Sequence, residues 1–193
     1  MYKYGCFITM VMVCGVLNGC LGTVWTGANL IYDRHNIYKK FNDYHLSTKV
    51  NRALFHDKAF KSSVCSVDVA VFNGDVLLAG HVPTQKLREE AQLRVEQIGG
   101  YRRFFNLLRL ADSLPQRAYD SWITAKIRSQ IIADSEINPN AFKIVTADAV
   151  VFIMGDVRPN QAQKVTTIAR HTSGVKKVVR ILKYYTYQDK LVA

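Results

Sequence analysis

The side chains with most to say about chemistry lie in the run WITAKIRSQII, residues 122 to 132. At about 100° per residue, Ile123, Ile127 and Ile131 form one apolar stripe, and Trp122 points roughly 140° away from its centre. Lys126, Ser129 and Ala133 fall near Trp122 on the same wheel, with Ile132 and Arg128 further round the side away from the stripe. An indole beside an ammonium and a guanidinium suits the headgroup depth of an anionic bilayer, where the ring is half dehydrated and the cations meet phosphate. The competing reading is that Trp122 packs against another part of the same chain, as large aromatics commonly do. Catalytic constellations are not evident. No Ser, His and Asp set sits in a nucleophile turn, and Gly99-Gly100 lacks a phosphate-loop Lys and reads as a helix stop. None of the five histidines pairs with another at i, i+4 beside a Glu, and no Cys-x-x-Cys occurs, which argues against zinc. A binding protein with no catalytic residues, metal or cofactor is expected.

Composition narrows what is bound. In 193 residues, 26 Lys and Arg against 15 Asp and Glu give a net charge of +11, which favours phospholipid, nucleic acid or acidic protein as partner. Cys6, Cys14 and Cys20 fall in the first twenty residues and only Cys65 lies beyond, so there is no disulfide framework. Lys3 and the apolar stretch Cys6 to Val16 have the make-up of an export signal, whereas a spanning helix needs roughly 20 uninterrupted apolar residues. Leu17-Asn18-Gly19-Cys20 resembles the bacterial lipobox. That resemblance implies cleavage before Cys20, lipid attachment to its thiol and, with Leu21 in place of Asp, delivery to the periplasmic face of the outer membrane. Acyl chains add about 0.8 kcal/mol per buried CH₂, so three of them anchor firmly. An exported protein rarely meets nucleic acid, so that partner is discounted; anionic phospholipid and envelope proteins remain.

The elements that must position the Trp122 run recur twice. Residues 47 to 57 align with 124 to 134 at an offset of 77, 76 to 82 with 151 to 157 at 75, and Gly100 with Gly174 at 74. This describes a duplicated unit with small deletions. Each copy reads helix, two β-rich runs joined by a turn, a second helix, a Gly stop and a last strand. In copy one, Val67, Val69 and Val71 alternate, Asn73-Gly74 is a strong hairpin turn, Val76 to Ala79 returns, Leu87, Ala91, Val95 and Ile98 keep helical spacing, and Phe104 to Leu110 closes the unit. Cys65 shares the valine phase and is expected to be a buried, inert thiol. In copy two the turn is Asp148-Ala149, whose type the residues leave open. The expected organisation is leader 1–19, acylated Cys20 and tether 20–42, domain one 43–113, linker 114–118, domain two 119–187 and tail 188–193. The fold class is α+β, with a small three-stranded mixed sheet on two helices in each domain. Two units this small bury modest cores, so their packing on each other should matter.

The order of these signals, with Gly80 or Gly155 ending an apolar strand and Gly100 or Gly174 before the last one, resembles the BON domain (bacterial OsmY and nodulation) over both copies. With the lipobox, and Asp33-Arg34 in the tether, the chain resembles the dual-BON outer-membrane lipoproteins. The resemblance implies roles in envelope integrity, osmotic and envelope stress and cell division. It also implies anionic phospholipid binding by the first helix of the second domain, around a Trp-Ile-Thr-x-Lys-x-Arg-Ser-Gln stretch that Trp122 to Gln130 match. Carried over, the binding residues are Trp122, Lys126, Arg128, Ser129 and their neighbour Ile132. The alternative is a lipid-anchored module that docks a protein of an envelope or secretion assembly. At the position of Trp122, copy one has His45 and so lacks the aromatic. Residues 117 to 193 carry 12 basic and 6 acidic side chains against 10 and 8 in residues 43 to 113, which makes domain two the more cationic.

Overall fold

The structure, a computed structural model, describes residues 30–56 and 58–185, with side chains from residue 38 onward. The export signal, Cys20, Asp57 and the tail 188–193 lie outside the described residues. In chain order the elements are helix α1 (Leu30–Phe55), strands β1 (Ser66–Phe72) and β2 (Asp75–Val82), helix α2 (Gln85–Glu96) and strands β3 (Arg103–Asn106) and β4 (Arg109–Leu110). The second domain follows with α3 (Arg117–Ala133), a 3-10 turn (Pro139–Ala141), β5 (Phe142–Ala147), β6 (Val150–Val157), α4 (Pro159–His171) and β7 (Lys177–Tyr184). Two boundaries differ from the sequence expectation. Helix α1 starts at Leu30, inside the segment read as tether, and α3 starts at Arg117, inside the segment read as linker. From Tyr38 to Asn42 every side chain of α1 is exposed, so no apolar stripe marks the helix there.

In each domain the middle strand runs antiparallel to the first and parallel to the last. The last strand of domain one is interrupted. Asn106 turns its side chain to the α2 carbonyl of Arg88 (3.1 Å), β4 resumes the pairing with β2 at Arg109, and Leu108 reaches the core in between. Both hairpins close with two consecutive positive φ angles, Asn73 and Gly74 at 48° and 79°, and Asp148 and Ala149 at 53° and 61°. Asn-Gly accepts this primed turn readily; Ala does not. One carboxylate clamps each turn from the neighbouring helix. Asp43 accepts the N–H groups of Asn73 (2.7 Å) and Gly74 (2.8 Å), and Asp120 those of Asp148 (2.9 Å) and Ala149 (2.8 Å). Asp43 and Asp120 are related by the repeat offset of 77.

Strand alternation sorts each sheet into two faces. Val67, Val71, Val76 and Leu78 meet α1 and α2 through Leu46, Val50, Leu54, Ala91 and Val95, and burial raises the Cys65 thiol above its usual value in the same core. Ile144, Val151 and Ile153 meet α3 and α4 in the same way. The opposite faces meet each other: Ala70, Leu77 and Ala79 of domain one pack on Ala147, Val150, Phe152, Met154 and Ile181 of domain two. The layers therefore run helices, sheet, sheet, helices. This explains why every residue of β2 is buried, a pattern foreign to a sheet with one wet face.

Polar groups close both ends of the apolar seam. At one end Arg102 bridges Asp75 (2.7 Å) and Asp156 (2.9 Å), and Asn73 donates to Asp156 (3.2 Å). Burial pushes the Asp75 carboxyl up, but the hydrogen bonds and charges of Arg102 and Arg103 outweigh it and hold the group below its usual range. At the other end the buried His81 ring contacts the Asp148 carboxylate through Nδ1 (2.8 Å) and the Ser113 carbonyl through Nε2 (2.8 Å), while Arg109 donates to Asp148 (2.8 Å). His81 and Asp156 are repeat equivalents, at an offset of 75, so the two clasps occupy matching places.

Asp68, half-buried at the His81 end, is raised above its usual value by burial, with Arg117 opposing and Asp120 and Asp148 adding to it. A carboxyl raised in the native state favours folding while it is protonated and loses that contribution as pH rises through its native value. Asp68→Asn is therefore expected to stabilise the protein at pH 7 and to change little below the unfolded carboxyl range. Thermal melts of both proteins at neutral and acid pH check this; a variant less stable at pH 7 would contradict it.

Candidate functional site

Helix α3 is fixed from beneath. Ile123, Ile127 and Ile131 are buried in the domain-two core, Thr124 donates to Thr146 across to β5 (2.8 Å), and Asp120 holds the turn of β5 and β6. Everything else from Ser121 to Ala133 except the half-buried Thr124 is exposed. The surface stripe predicted from the wheel is present in the folded chain.

Trp122 is 46% exposed. Its indole stacks on Tyr119 (centroids 5.7 Å apart, planes 16°), and the Lys126 ammonium lies 4.9 Å from its ring centroid. A cation over an exposed ring contributes roughly 0.5–1 kcal/mol and, more usefully here, fixes a charge beside the ring. Tyr119 is itself seated: a Cβ on Gly174, whose φ is +89°, would lie 2.1 Å from the phenol oxygen. The bare glycine lets the ring lie against the loop that follows α4.

The five residues expected to bind phospholipid do not form one cluster. Trp122, Lys126 and Ser129 share a strip, the Ser129 hydroxyl donating to the Lys126 carbonyl (2.9 Å). Arg128 and Ile132 lie on the flank. Arg128 is near Lys143, whose ammonium is lowered chiefly by burial and then by Arg128, against Asp43, and which donates to the Val71 carbonyl of domain one (3.3 Å). Ile132 is 68% exposed. Neither Lys126 nor Arg128 has a carboxylate partner among the described residues, so both charges face solvent.

Tyr119 and Asp120 were not among the sequence candidates. Asp120 had a signal in its match to Asp43 at the repeat offset of 77; Tyr119 had only its place one turn before Trp122. Among the described residues no three His, Cys, Asp or Glu side chains are grouped to hold a metal, and no helix is long and apolar enough to cross a membrane.

Two tandem α-β-β-α-β units with sheets face to face, and one outer helix bearing an aromatic and cationic strip, define a duplicated α+β module. The BON-domain family matches at residues 42–112 and 119–184, and the chain belongs to that family as a dual-BON member. It is 30% identical over 174 residues to the outer membrane lipoprotein DolP of Haemophilus influenzae, covering 87% of this chain and 90% of that one. It is also 33% identical to a 21 kDa hemolysin of Actinobacillus pleuropneumoniae over 61% of this chain and 62% of the relative. To the osmotically-inducible protein Y of Escherichia coli K12 it is 29% identical, over 74% of this chain and 72% of the relative.

Proposed function

We propose that this is a non-catalytic lipoprotein, held at the periplasmic face of the outer membrane by an acylated Cys20, whose second domain binds anionic phospholipid through α3 and so supports envelope integrity. The observation that carries the reading is the half-exposed Trp122, braced by Tyr119 and flanked by Lys126, which has no carboxylate partner among the described residues. The indole enters the headgroup region, Lys126 meets phosphate beside it, and Arg128, Ser129 and Ile132 widen the contact. The names of the relatives, an outer membrane lipoprotein and an osmotically-inducible protein, agree with that location and role.

The test is co-sedimentation of the unacylated chain, Leu21 to Ala193, with phosphatidylglycerol or neutral vesicles at low and high salt. Selective, salt-sensitive binding to the anionic vesicles is expected. Trp122→Ala should weaken it about tenfold, since partial burial of an indole accounts for about 1.5 kcal/mol. A folded protein that binds neither vesicle would leave Cys20 as the only membrane contact and turn α3 into a protein-docking surface.

A further inference from the structure

We propose that α1 carries a second contact for anionic phospholipid, on the outer layer of domain one. The proposal rests on the lipid-anchored reading above, because it takes the bilayer holding Cys20 as the occupant.

Five exposed side chains of α1, Tyr38, Phe41, His45, Lys49 and Arg52, and His56 just past its end, follow one another at intervals of three or four residues. On the helical wheel they form one stripe, roughly 140° from the buried Leu46, Val50 and Leu54. That is the direction Trp122 takes from the core stripe of α3, and the repeat places His45 on Trp122 and Lys49 on Lys126. The aromatic missing at His45 is supplied one turn earlier. The Phe41 ring meets the His45 ring edge-on at 4.3 Å, and Tyr38, Phe41 and Tyr44 are 69%, 59% and 69% exposed. Three large aromatics this bare on one short stretch of helix are an unusual outlay of apolar surface for a wet face.

The stripe changes character along its length. Its N-terminal half is aromatic; its C-terminal half is cationic. There Lys49, Arg52 and His56 join Arg94 of α2 around an open cleft of about 700 Å³ whose apolar walls are Ala53 and Ile98 and whose lining includes no carboxylate. Arg94 is held in place by Glu90 (2.8 Å) and by the Ala53 carbonyl (3.0 Å). A stripe of exposed rings continued by the cations Lys49 and Arg52 complements a surface that is apolar just below a layer of phosphate. Chain length points to the same occupant. Ten residues lead from Cys20 to Leu30, at most about 35 Å when fully extended, and α1 adds about 12 Å from there to Tyr38, so an anchored chain leaves the aromatic end of α1 within reach of the bilayer.

The experiment uses the whole exported chain, Cys20 to Ala193, made unacylated by Cys20→Ser, with vesicles containing brominated phosphatidylglycerol. The sequence has two tryptophans, Trp25 and Trp122. One variant reports α1 (Trp25→Phe, Trp122→Phe, Phe41→Trp); another reports α3 (Trp25→Phe alone). Bromine quenches only an indole that enters the lipid. Quenching at position 41 in anionic but not neutral vesicles, and its loss by severalfold on adding Lys49→Glu and Arg52→Glu, is the expected result. All four substituted side chains in α1 and α3 are solvent-exposed, and circular dichroism verifies that the variants fold. Quenching at 122 without quenching at 41 would overturn this proposal and leave the α3 reading intact. Quenching at 41 alone would do the reverse, and none at either position would remove both.

Discussion

Gly80→Ala is expected to cost about 3 kcal/mol or more and to lower the melting temperature by many degrees, because two independent penalties fall on one methyl group. Gly80 sits in β2, which is buried throughout, at φ +105°, a conformation that L residues rarely adopt and that costs of order 1–3 kcal/mol. An added Cβ would also lie 2.0 Å from the Ser66 carbonyl oxygen and 2.9 Å from its carbon. These are backbone atoms of β1, so relief requires the two strands to part. The repeat equivalent, Gly155, gives the comparison. There a Cβ would meet the Ala141 carbonyl at 2.7 Å and φ is not positive, so Gly155→Ala should be damaging but milder. Thermal and denaturant unfolding of the two variants measures both; equal losses, or a Gly80→Ala protein close to the parent, would contradict the argument.

The second large effect concerns the seam between the sheets. Leu77 and Met154 are fully buried, facing each other's domain and not their own helices. Leu77→Asp places a carboxylate in this apolar layer. Burying a charge without a partner is among the few single changes expected to cost 3 kcal/mol or more. If the two domains fold as one body, the parent should unfold in a single transition, and Leu77→Asp should destabilise domain two as well as domain one. Hydrogen exchange resolves this by residue: amides of β6, which the substitution does not touch covalently, should lose protection together with those of β2. Unchanged protection in β6 would mean that the domains are stable separately.

Much of this architecture is legible in the residues, and the gaps have physical causes. The valine alternation of β1, the Asn73-Gly74 turn, the helical spacing of Leu87 to Ile98 and the offsets between copies give the order of elements in each unit. They are local rules that tertiary packing obeys here. The α3 surface was visible because one face of that helix is buried, which makes Trp122 stand out as misplaced for a core. The start of α1 was missed for the converse reason: with every side chain from Tyr38 to Asn42 exposed, no buried apolar stripe distinguishes helix from tether there. The Asp148-Ala149 turn could not be typed from its own residues, since its geometry is imposed by Asp120, 28 positions away. The wheel already sets Arg128 apart from Trp122; what it cannot contain is Lys143, near Arg128 and bonded to the Val71 carbonyl of domain one.

The sheet-to-sheet contact has a further meaning for how such a chain arose. Matching turns, matching clasps and matching apolar faces, each supplied once by either copy, are the signature of an isologous interface, the kind two identical subunits make across a two-fold axis. Here both subunits are on one polypeptide, joined by a few residues that hold each at high effective concentration for the other. The chain is in this sense an intramolecular dimer whose symmetry has closed on itself. A lone unit of this design would have to recruit a second copy to cover its sheet. Duplication removes that need and frees the two outer helices, no longer bound to be identical, to diverge into a Trp122 face on one side and a Phe41–Arg52 face on the other.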